Sequence, residues 1–381
     1  MSEIKVNSIK GVSATSAAIS INNTDGTCTA NITNNLSNRN LIINGAMQVA
    51  QRGDVTGANS SGYKALDRFR HTISIGTWSI SQSTDSPDGF ANSMKMDCTT
   101  AEASPSSASA LAFVQKIEGQ NLQHLKKGTS GALNITVSFH IKCTKTGIAV
   151  VNLIDEDNTR MIGQQFTINS ADTWEKKTLT FAGDTSGVLG NDANSSLRLE
   201  IWLDAGSSYK SGSVQSSWAA LNTANYFAGG TLNLGDNTSN DVFITGVQLE
   251  VGSVATDFEH RSFGDELHRC FRYYQKIDMS NTGGIFGVGN VDGSTQGQIL
   301  VQLPVPLRVK ATSMDTTGSD NDYKFRVRTT QNCDAVPTLH NAGFTHQFLE
   351  WQANGHGFSD GDCALGISGS TSSFLAFSAE L

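Results

Sequence analysis

The stretch LNITVSFHIKC, residues 133–143, decides the class of fold. Its odd-numbered positions, from Leu133 to Cys143, are all apolar, and the even-numbered positions between them are all polar. Successive side chains of a β-strand point to opposite faces, so this period of two predicts a strand with one buried and one solvent-facing side. A sheet, rather than a helical core, is therefore expected around it.

The same alternation recurs on either side of this stretch. In residues 197–203 the apolar side chains lie at odd positions, and Arg198, Glu200 and Trp202 fall on the opposite, presumed solvent-facing side. Further strands are predicted at 112–117, 149–154, 174–181 and 242–251. No helical period recurs between them, which argues against parallel strands joined by crossover helices. The pattern favours an antiparallel sandwich.

The composition agrees with many short strands joined by tight turns. Of the 381 residues only 16% are charged, whereas 37 are Gly and only 5 are Pro. Gly, Asn and Ser supply turn geometry, and Thr suits a half-exposed strand. A chain of this length predicts two or three compact units.

Charge and hydropathy exclude several partners. The net charge is −8, which would repel a phosphate backbone, so no nucleic acid is expected. The longest apolar stretches are only strand-sized, so no membrane insertion is expected, and the N-terminus lacks the apolar region of a signal peptide. We expect synthesis in the cytoplasm.

Six cysteines are spaced too widely for a zinc site of CxxC type. We interpret them as small buried thiols, and a Cys333–Cys363 disulfide stays open as the alternative. The cysteines lie at 28, 98, 143, 270, 333 and 363.

One helix is predicted, in SFGDELHRCFRYYQKI at 262–277. Leu267, Cys270, Phe271 and Tyr274 recur at helical spacing, and Ser262 is suited to cap the first turn. Later strand patterns indicate a second β region. Among them are 299–303, which we expect to be buried on both faces, and 374–377 at the end.

These signals divide the chain into four parts. They are an N-terminal attachment or oligomerisation segment at 1–36, a large jelly-roll domain at 37–261, a linking helix at 262–278 and a C-terminal β domain at 279–381. The predicted fold class is all-β: an extended leader, a large antiparallel jelly-roll β-sandwich, one short linking helix and a smaller β-sandwich.

The leader, residues 1–36, carries isolated apolar residues among Ser, Asn and Thr, and TDG at 24–26 is a turn signal. A segment this short cannot bury a core of its own. We expect it to be completed by docking on a larger assembly or by winding with identical copies. A disordered leader is the open alternative.

No catalytic residues are predicted. The sequence contains no HExxH, and the glycine-rich stretch at 287–293 lacks the spacing of a nucleotide-binding loop. Acidic clusters at 155–157, 320–322 and 360–362 are too common a feature to indicate a glycosidase pair. No cofactor is predicted, although a Ca²⁺ ion in a loop stays open.

Aromatic side chains are the candidates for binding. Flat rings stack on sugar faces, and Trp202, Trp218 and Tyr226 are the side chains we expect to contact a glycan. Trp202 is chosen for its solvent-facing strand position, and the other two for their Ser- and Asn-rich surroundings. Packing of these rings beneath long loops is the alternative.

Three stretches carry a resemblance to known proteins. They are NLIINGAMQVAQRG at 40–53 with YKALDRF at 63–69, ITGVQLEVGSVATDFE at 244–259, and DELHRCFRYYQ at 265–275. In this order the chain resembles a family of tailed-phage virion proteins that includes tail fibres and receptor-binding proteins. The region from QKIEG at 115–119 through 133–142 to TWE at 173–175 is similar to carbohydrate-binding-module-like jelly rolls.

The resemblance implies a role and partners. A protein of this family would be a homotrimer in the phage tail, attached through residues 1–36 to other tail proteins. It would contribute to recognition of a host-surface glycan or protein. A purely structural tail adaptor or decoration protein and a polysaccharide-degrading tailspike stay open as alternatives. The absence of catalytic motifs favours a protein that is not an enzyme.

Overall fold

The structure is nearly all β, which confirms the predicted fold class. It is a computed structural model that describes residues 6, 8–9, 19–21, 24, 28–30, 38–354 and 357–381. The first large body contains β4 (Val55–Ala58), β5 (Gly62–Tyr63), β6 (Arg70–Ile73), β7 (Thr77–Ser83), β8 (Ser93–Thr100), β9 (Ala110–Glu118), β10 (Ile135–Cys143), β11 (Gly147–Asp155), β12 (Arg160–Ile168), β13 (Glu175–Phe181), β14 (Ser195–Ala205), β15 (Ala219–Ala220) and β16 (Asp241–Val251).

These strands form two facing antiparallel sheets. Sheet I has the order β13-β10-β16-β8-β7-β4, and sheet II has the order β15-β12-β11-β14-β9-β6-β5. Strand β10 lies within the stretch at 133–143. Its Phe139 packs edge-on against Phe166 of sheet II, with ring centroids 5.2 Å apart. Leu199 and Ile201 of β14 enter the same core at 2% and 0% exposure. The period of two therefore identified the core-facing positions of β10 and β14. It was wrong at Leu133, which lies before β10 and is 38% exposed, and at Thr136 and Ser138, which are buried on the face expected to meet solvent.

Strand β16 carries a bulge at Gly246. It spans Asp241–Val251, in agreement with the strand predicted at 242–251, and it runs through Gly246. Its pairing with β10 shifts register between Ser138 and His140, which is a β-bulge, and Gly246 takes a φ of 63° there. An added Cβ would lie 2.7 Å from Phe90 Cζ. Gly is thus required by both the backbone and the space.

The C-terminal part has its own core. Its strands are β17 (Tyr274–Asp278), β18 (Ile285–Val291), β19 (Gln296–Gln302), β20 (Ser313–Thr316), β21 (Tyr323–Arg326), β22 (Thr330–Asn332), β23 (Thr338–Ala342), β24 (His346–Gln352), β25 (Cys363–Ser368) and β26 (Phe374–Ser378). Sheet III has the order β17-β26-β20, and sheet IV has the order β22-β21-β25-β18-β19-β24-β23. Trp351, Tyr323 and Phe325 are fully buried between the two sheets.

Strand β19 corrects one prediction in this part. Both faces of 299–303 were expected to be buried, but in β19 only the face with Ile299 and Val301 is buried, and Leu300 stays partly exposed. The prediction was wrong because the apolar character of Leu300 does not reflect burial. Leu300 pairs with Val288 and Phe348 in an apolar row on the outer side of sheet IV.

The helix is shorter than predicted. Helix α1 spans Phe263–Phe271, and Ser262 caps it by accepting a hydrogen bond from Asp265 N at 3.2 Å, as expected. Tyr274, assigned to the helix face by its spacing, instead begins β17, which pairs with β26. The ladder partner lies about a hundred residues further along the chain, so helical spacing alone could not exclude this outcome.

Ion pairs connect the first body to the C-terminal part. Arg272 donates two hydrogen bonds to Glu118 at 2.8 and 2.7 Å. Arg68 pairs with Glu380, and the guanidinium of Arg68 lies 3.4 Å from the ring centroid of Tyr273. The two cores are thus joined by buried charges. The domain boundaries at 37, 262 and 279 stay a prediction.

Most of the leader, 1–36, lies outside the described residues. The described pieces include β1 (Ser8–Ile9), β2 (Ile19–Ile21) and β3 (Cys28–Ala30), which pair in that order and agree with the expected short strands. Short 3₁₀ turns lie elsewhere at Gly119–Asn121, Gln123–Leu125, Ser207–Tyr209, Thr223–Asn225, Leu234–Asp236 and Asp320–Asp322.

Five cysteine side chains are described, and their thiols are free, so the alternative of a Cys333–Cys363 disulfide is wrong. Cys98, Cys143, Cys270 and Cys333 are buried as interpreted from the sequence, whereas Cys363 is exposed and corrects that interpretation. No described helix has both the length and the apolar character needed to cross a bilayer.

Candidate functional site

A cleft of about 310 Å³ opens on the outer face of sheet II. Its floor is formed by three adjacent strands, β14, β9 and β6, whose core-facing residues point the other way. The floor and one wall are formed by Arg70, Thr72, Ala110, Val114, Lys116, Arg198, Glu200, Trp202, Tyr209 and Tyr226. The site thus combines a concave shape with convergent polar and aromatic groups, as ligand sites do.

Three stacked rings form the wall. The ring centroid of Trp202 lies 5.3 Å from that of Tyr209 and 5.1 Å from that of Tyr226. The two tyrosines are 5.9 Å apart with an interplanar angle of 19°. They belong to the loop that follows β14, and Phe227 N donates to Tyr209 O at 2.8 Å, so the two turns are held together. The side-chain amide of Asn152, on β11, also donates a hydrogen bond to Tyr226 O at 2.8 Å.

A charged cluster lies beside the rings. Glu200 is 5% exposed, accepts a hydrogen bond from Trp202 Nε1 at 2.7 Å and lies 2.8 Å from Arg198 Nε. Burial raises the pKa of Glu200, and the positive charge of Arg198 opposes that rise. Burial also raises the pKa of Tyr226 to about 12, with Glu200 adding to the effect. Arg198 Nη1 donates to Glu156 at 2.6 Å. These contacts hold the orientation of Glu200 and Trp202.

Two further cations lie on the floor. Lys116 Nζ is 3.5 Å from Glu156, and its side chain is 23% exposed. Arg70 is half-buried and donates from Nη1 to Thr72 Oγ1 at 3.2 Å. Within the described residues, no carboxylate lies within the 4.0 Å that defines an ion pair with Arg70. Arg70 therefore keeps most of its donors available.

The structure brings together two of the three predicted glycan-contacting residues. Trp202 and Tyr226 meet in the cleft, although Trp202 is only 3% exposed, because the loop after β14 covers the face that was expected to meet solvent. Trp218 lies elsewhere: its Nε1 donates to Ala182 O at 2.8 Å, and Lys127 Nζ lies 5.3 Å from its ring. Whether any of the three contacts a glycan stays a prediction.

Sequence reasoning missed Tyr209 and Arg70. Tyr209 follows β14 by four residues, in a stretch without periodicity. Arg70 did carry a signal, since RHTI at 70–73 alternates in the same way as β14 and places Arg70 and Thr72 on the outer face. Nothing local, however, indicated that this face adjoins Glu200.

The other tryptophans serve different roles. Trp78 and Trp351 are fully buried. Trp174 lies on the outer face of sheet I, where its Nε1 donates to Asp85 at 3.1 Å and Lys142 Nζ lies 5.8 Å from its ring. This second surface provides a comparison for the cleft.

The acidic clusters do not form a metal centre in the described part of the chain, where no group of three or more His, Cys, Asp or Glu is placed to hold an ion. The cluster at 155–157 is instead engaged in ion pairs: Asp155 accepts from the buried Lys127, and Glu156 binds Arg198. These carboxylates hold strands and loops together.

Comparison with known proteins does not show a family. No family model and no curated protein matches the chain. Among solved structures, a bacteriophage CBA120 tailspike domain aligns with a TM-score of 0.28 and 14% identity, over 56% of this chain and 21% of that one. The chain thus spans about a fifth of that domain.

Two carbohydrate-binding modules also align. A family 11 module from Clostridium thermocellum, in complex with a mixed-linked tetrasaccharide, gives a TM-score of 0.24 and 10% identity, over 55% of this chain and 98% of that one. A xylan-binding domain from Paenibacillus barcinonensis gives a TM-score of 0.26 and 9% identity, over 53% of this chain and 95% of that one. Likenesses at this distance carry no inference about function, which has to be argued from the cleft.

Proposed function

We propose that this chain is a saccharide-binding protein without catalytic activity, and that its ligand lies in the cleft of sheet II. The observation that carries the proposal is the placement of the stacked wall, Trp202, Tyr209 and Tyr226, beside the fixed carboxylate and guanidinium groups of the floor. A sugar ring needs both kinds of surface, because it has apolar C–H faces and a rim of hydroxyl groups.

Each half of the cleft has a defined part in this proposal. Tyr209 is the half-buried ring of the wall, and Trp202 and Tyr226 pack behind it, so the C–H face of a sugar would pack on Tyr209. Arg198 and Glu200 are held in place by each other and by Trp202 Nε1, so their remaining donor and acceptor positions are preorganised for hydroxyl groups.

The number of carboxylates in the cleft supports binding without hydrolysis. Hydrolysis of a glycosidic bond normally needs two carboxyl groups flanking it. Among the described residues that line the cleft, Glu200 is the only carboxylate. Its raised pKa would suit a general acid, which is why the tailspike alternative needs a direct test.

The test is a glycan array with the intact protein, followed by titration of the saccharides retained. Tyr209→Ala is expected to weaken binding about tenfold, because a central aromatic anchor typically contributes more than about 1 kcal/mol. Trp174→Ala, on the outer face of sheet I, is the matched control and should bind as the wild type does. Equal binding by wild type and Tyr209→Ala contradicts the placement of the ligand.

A reducing-sugar assay on the same saccharides separates binding from hydrolysis. No release of reducing ends is expected. Turnover that is abolished by Glu200→Gln would instead favour the polysaccharide-degrading alternative. If no saccharide is retained even by protein displayed at high density, the adaptor alternative is favoured.

We further propose that the chain acts in a phage tail as a homotrimer attached through residues 1–36, and that it presents the cleft to a host surface. Support comes from the resemblance of 40–53, 63–69, 244–259 and 265–275 to virion proteins, and from the exposure of Val6 (41%) and Ile9 (53%) in the leader. Three copies would also raise the avidity of a weak single cleft.

A further inference from the structure

We infer that the saccharide bound in the cleft carries a carboxylate, as a uronic acid does, and that Arg70 is the residue that binds it. This inference rests on the proposed function, because it names the class of saccharide for the same site. Its basis is that two of the three cations that line the cleft have a carboxylate partner, whereas the third has none among the described residues.

Arg198 and Lys116 already have carboxylate partners. Arg198 contacts Glu156 and Glu200 at 2.6 and 2.8 Å, and Lys116 lies 3.5 Å from Glu156. Arg70, by contrast, uses one of its five donors within the described part of the chain, for Thr72 Oγ1 at 3.2 Å. Arg70 is thus the lining cation that can take a new anionic partner.

The strand register sets where that partner would lie. Val114 of β9 pairs with Glu200 on one side and with Arg70 on the other, so Glu200, Val114 and Arg70 form one row across the floor. Neighbouring strands are about 4.8 Å apart, which puts the backbones at the two ends of this row roughly 10 Å apart. That spacing leaves room above Val114 for one sugar ring, with hydroxyl groups towards Glu200 and a carboxylate towards Arg70.

The charge of the lining favours the same class of ligand. Arg70, Lys116 and Arg198 oppose the single carboxylate of Glu200 among the lining residues, whereas the whole chain has a net charge of −8. A positive site in an acidic protein attracts anions selectively. A planar guanidinium also matches a carboxylate with two parallel hydrogen bonds, which a neutral hydroxyl group cannot accept.

The experiment compares matched saccharides on the intact protein. The probes are oligogalacturonate, oligomannuronate and sialylated oligosaccharides, each beside its carboxyl-reduced form, together with sulfated and neutral oligosaccharides. At least one carboxylated probe should bind, and its reduced form should bind at least tenfold more weakly. Added salt should weaken binding of the carboxylated probe.

Variants assign the effect to Arg70. Arg70→Gln should lose about tenfold or more in affinity for the carboxylated probe, since it removes the charge-assisted hydrogen bonds to the carboxylate. Arg70→Lys keeps the positive charge but lacks the planar guanidinium group. Its affinity for the carboxylated probe should therefore lie between those of the wild type and of Arg70→Gln. Arg326→Gln, which removes an exposed arginine on β21 of sheet IV, is the control and should change nothing. The thermal unfolding of each variant verifies that it folds.

The outcomes separate the two proposals. Equal binding of native and carboxyl-reduced probes, with Arg70→Gln unchanged, overturns the carboxylate inference and leaves saccharide binding in place. Binding of sulfated but not carboxylated probes also overturns it. Failure of every probe, charged and neutral, overturns the proposed function as well.

Discussion

Arg68 is the most deeply buried arginine at the junction between the two cores. Its side chain is 1% exposed, it pairs with Glu380, and it stacks on Tyr273. Arg52 also reaches Glu380, at 3.3 Å, and stacks on Tyr274 at 3.6 Å. A buried cation without its anion is costly, so the carboxylate near the end of the chain helps to hold both cores in place.

Glu380→Gln is therefore expected to lower the free energy of unfolding by about 3 kcal/mol, because it leaves Arg68 buried without a counter-charge. Chemical denaturation measures the change. The control is Asp362→Asn. Asp362 lies 3.3 Å from Arg328, whose side chain is 80% exposed. This variant should lower the free energy of unfolding by less than about 1 kcal/mol. Equal losses in the two variants would contradict the importance of the buried pair.

His71 provides a pH-dependent test of the first core. It is fully buried beside Met94, and burial lowers its pKa to about 3 from 6.5. Between these values the unfolded chain binds a proton that the folded protein does not. The stability that His71 contributes is therefore complete above pH 6.5 and is lost as the pH falls, by about 1.4 kcal/mol per unit.

Asp67 acts in the opposite direction. Burial raises its pKa to about 6 from 3.8, so its contribution increases as the pH falls from 6 to 3.8. The two effects offset each other in the wild type, and the difference between wild type and His71→Gln isolates His71. We expect that difference to fall by roughly 2 kcal/mol from pH 6.5 to pH 4.5 in urea denaturation. A difference that stays constant over this range contradicts a neutral, buried imidazole.

At the scale of elements, the bulge in β16 has a defined role. It places Gly246 against Phe90 and His140, where a Cβ would lie 2.7 Å from one ring and 2.9 Å from the other. The bulge lets β16 pair with β10 along most of its length despite the extra residue.

Gly246→Ala should lower the free energy of unfolding by about 2–3 kcal/mol, through backbone strain and overpacking together. Gly57→Ala is the matched control: its φ is 70°, against 63° for Gly246, but nothing lies within 4 Å of the added Cβ. It should cost about 1 kcal/mol, the backbone part alone. Equal losses, measured by thermal and urea unfolding, would mean that the ring contact adds nothing.

Element prediction succeeded where the signal was local. The period of two identified β10 and β14 with their buried faces, because alternation is a property of the strand itself. It failed at Tyr274, where pairing with the distant β26 overrode helical spacing, and at Leu300, where an apolar side chain lies on an outer face. It also placed Trp202 on the correct face but could not predict the tyrosines that cover it, since the loop after β14 has no period.

The cleft as a whole could not be predicted from the sequence. Arg70, Glu200 and Tyr209 are brought together by the order β14-β9-β6 and by the loop after β14, which are tertiary features. Composition and spacing suggested aromatic binding residues but could not group Trp202 with Tyr226 and exclude Trp218.

At the scale of the whole molecule, the trimer proposal predicts a mass. Light scattering of the intact protein should give about three times the chain mass of 40.6 kDa. Deletion of residues 1–36 should yield a monomer, because in this proposal the leader, which is too short to bury a core alone, folds only by pairing with its copies. A monomeric intact chain would contradict the role given to the leader.

The most direct test of the binding site is a structure of the protein with a saccharide selected from the array. We expect the sugar in the cleft of sheet II, with its C–H face on Tyr209 and its polar groups towards Glu200 and Arg70. A saccharide found instead on the outer face of sheet I, beside Trp174 and Lys142, would contradict it.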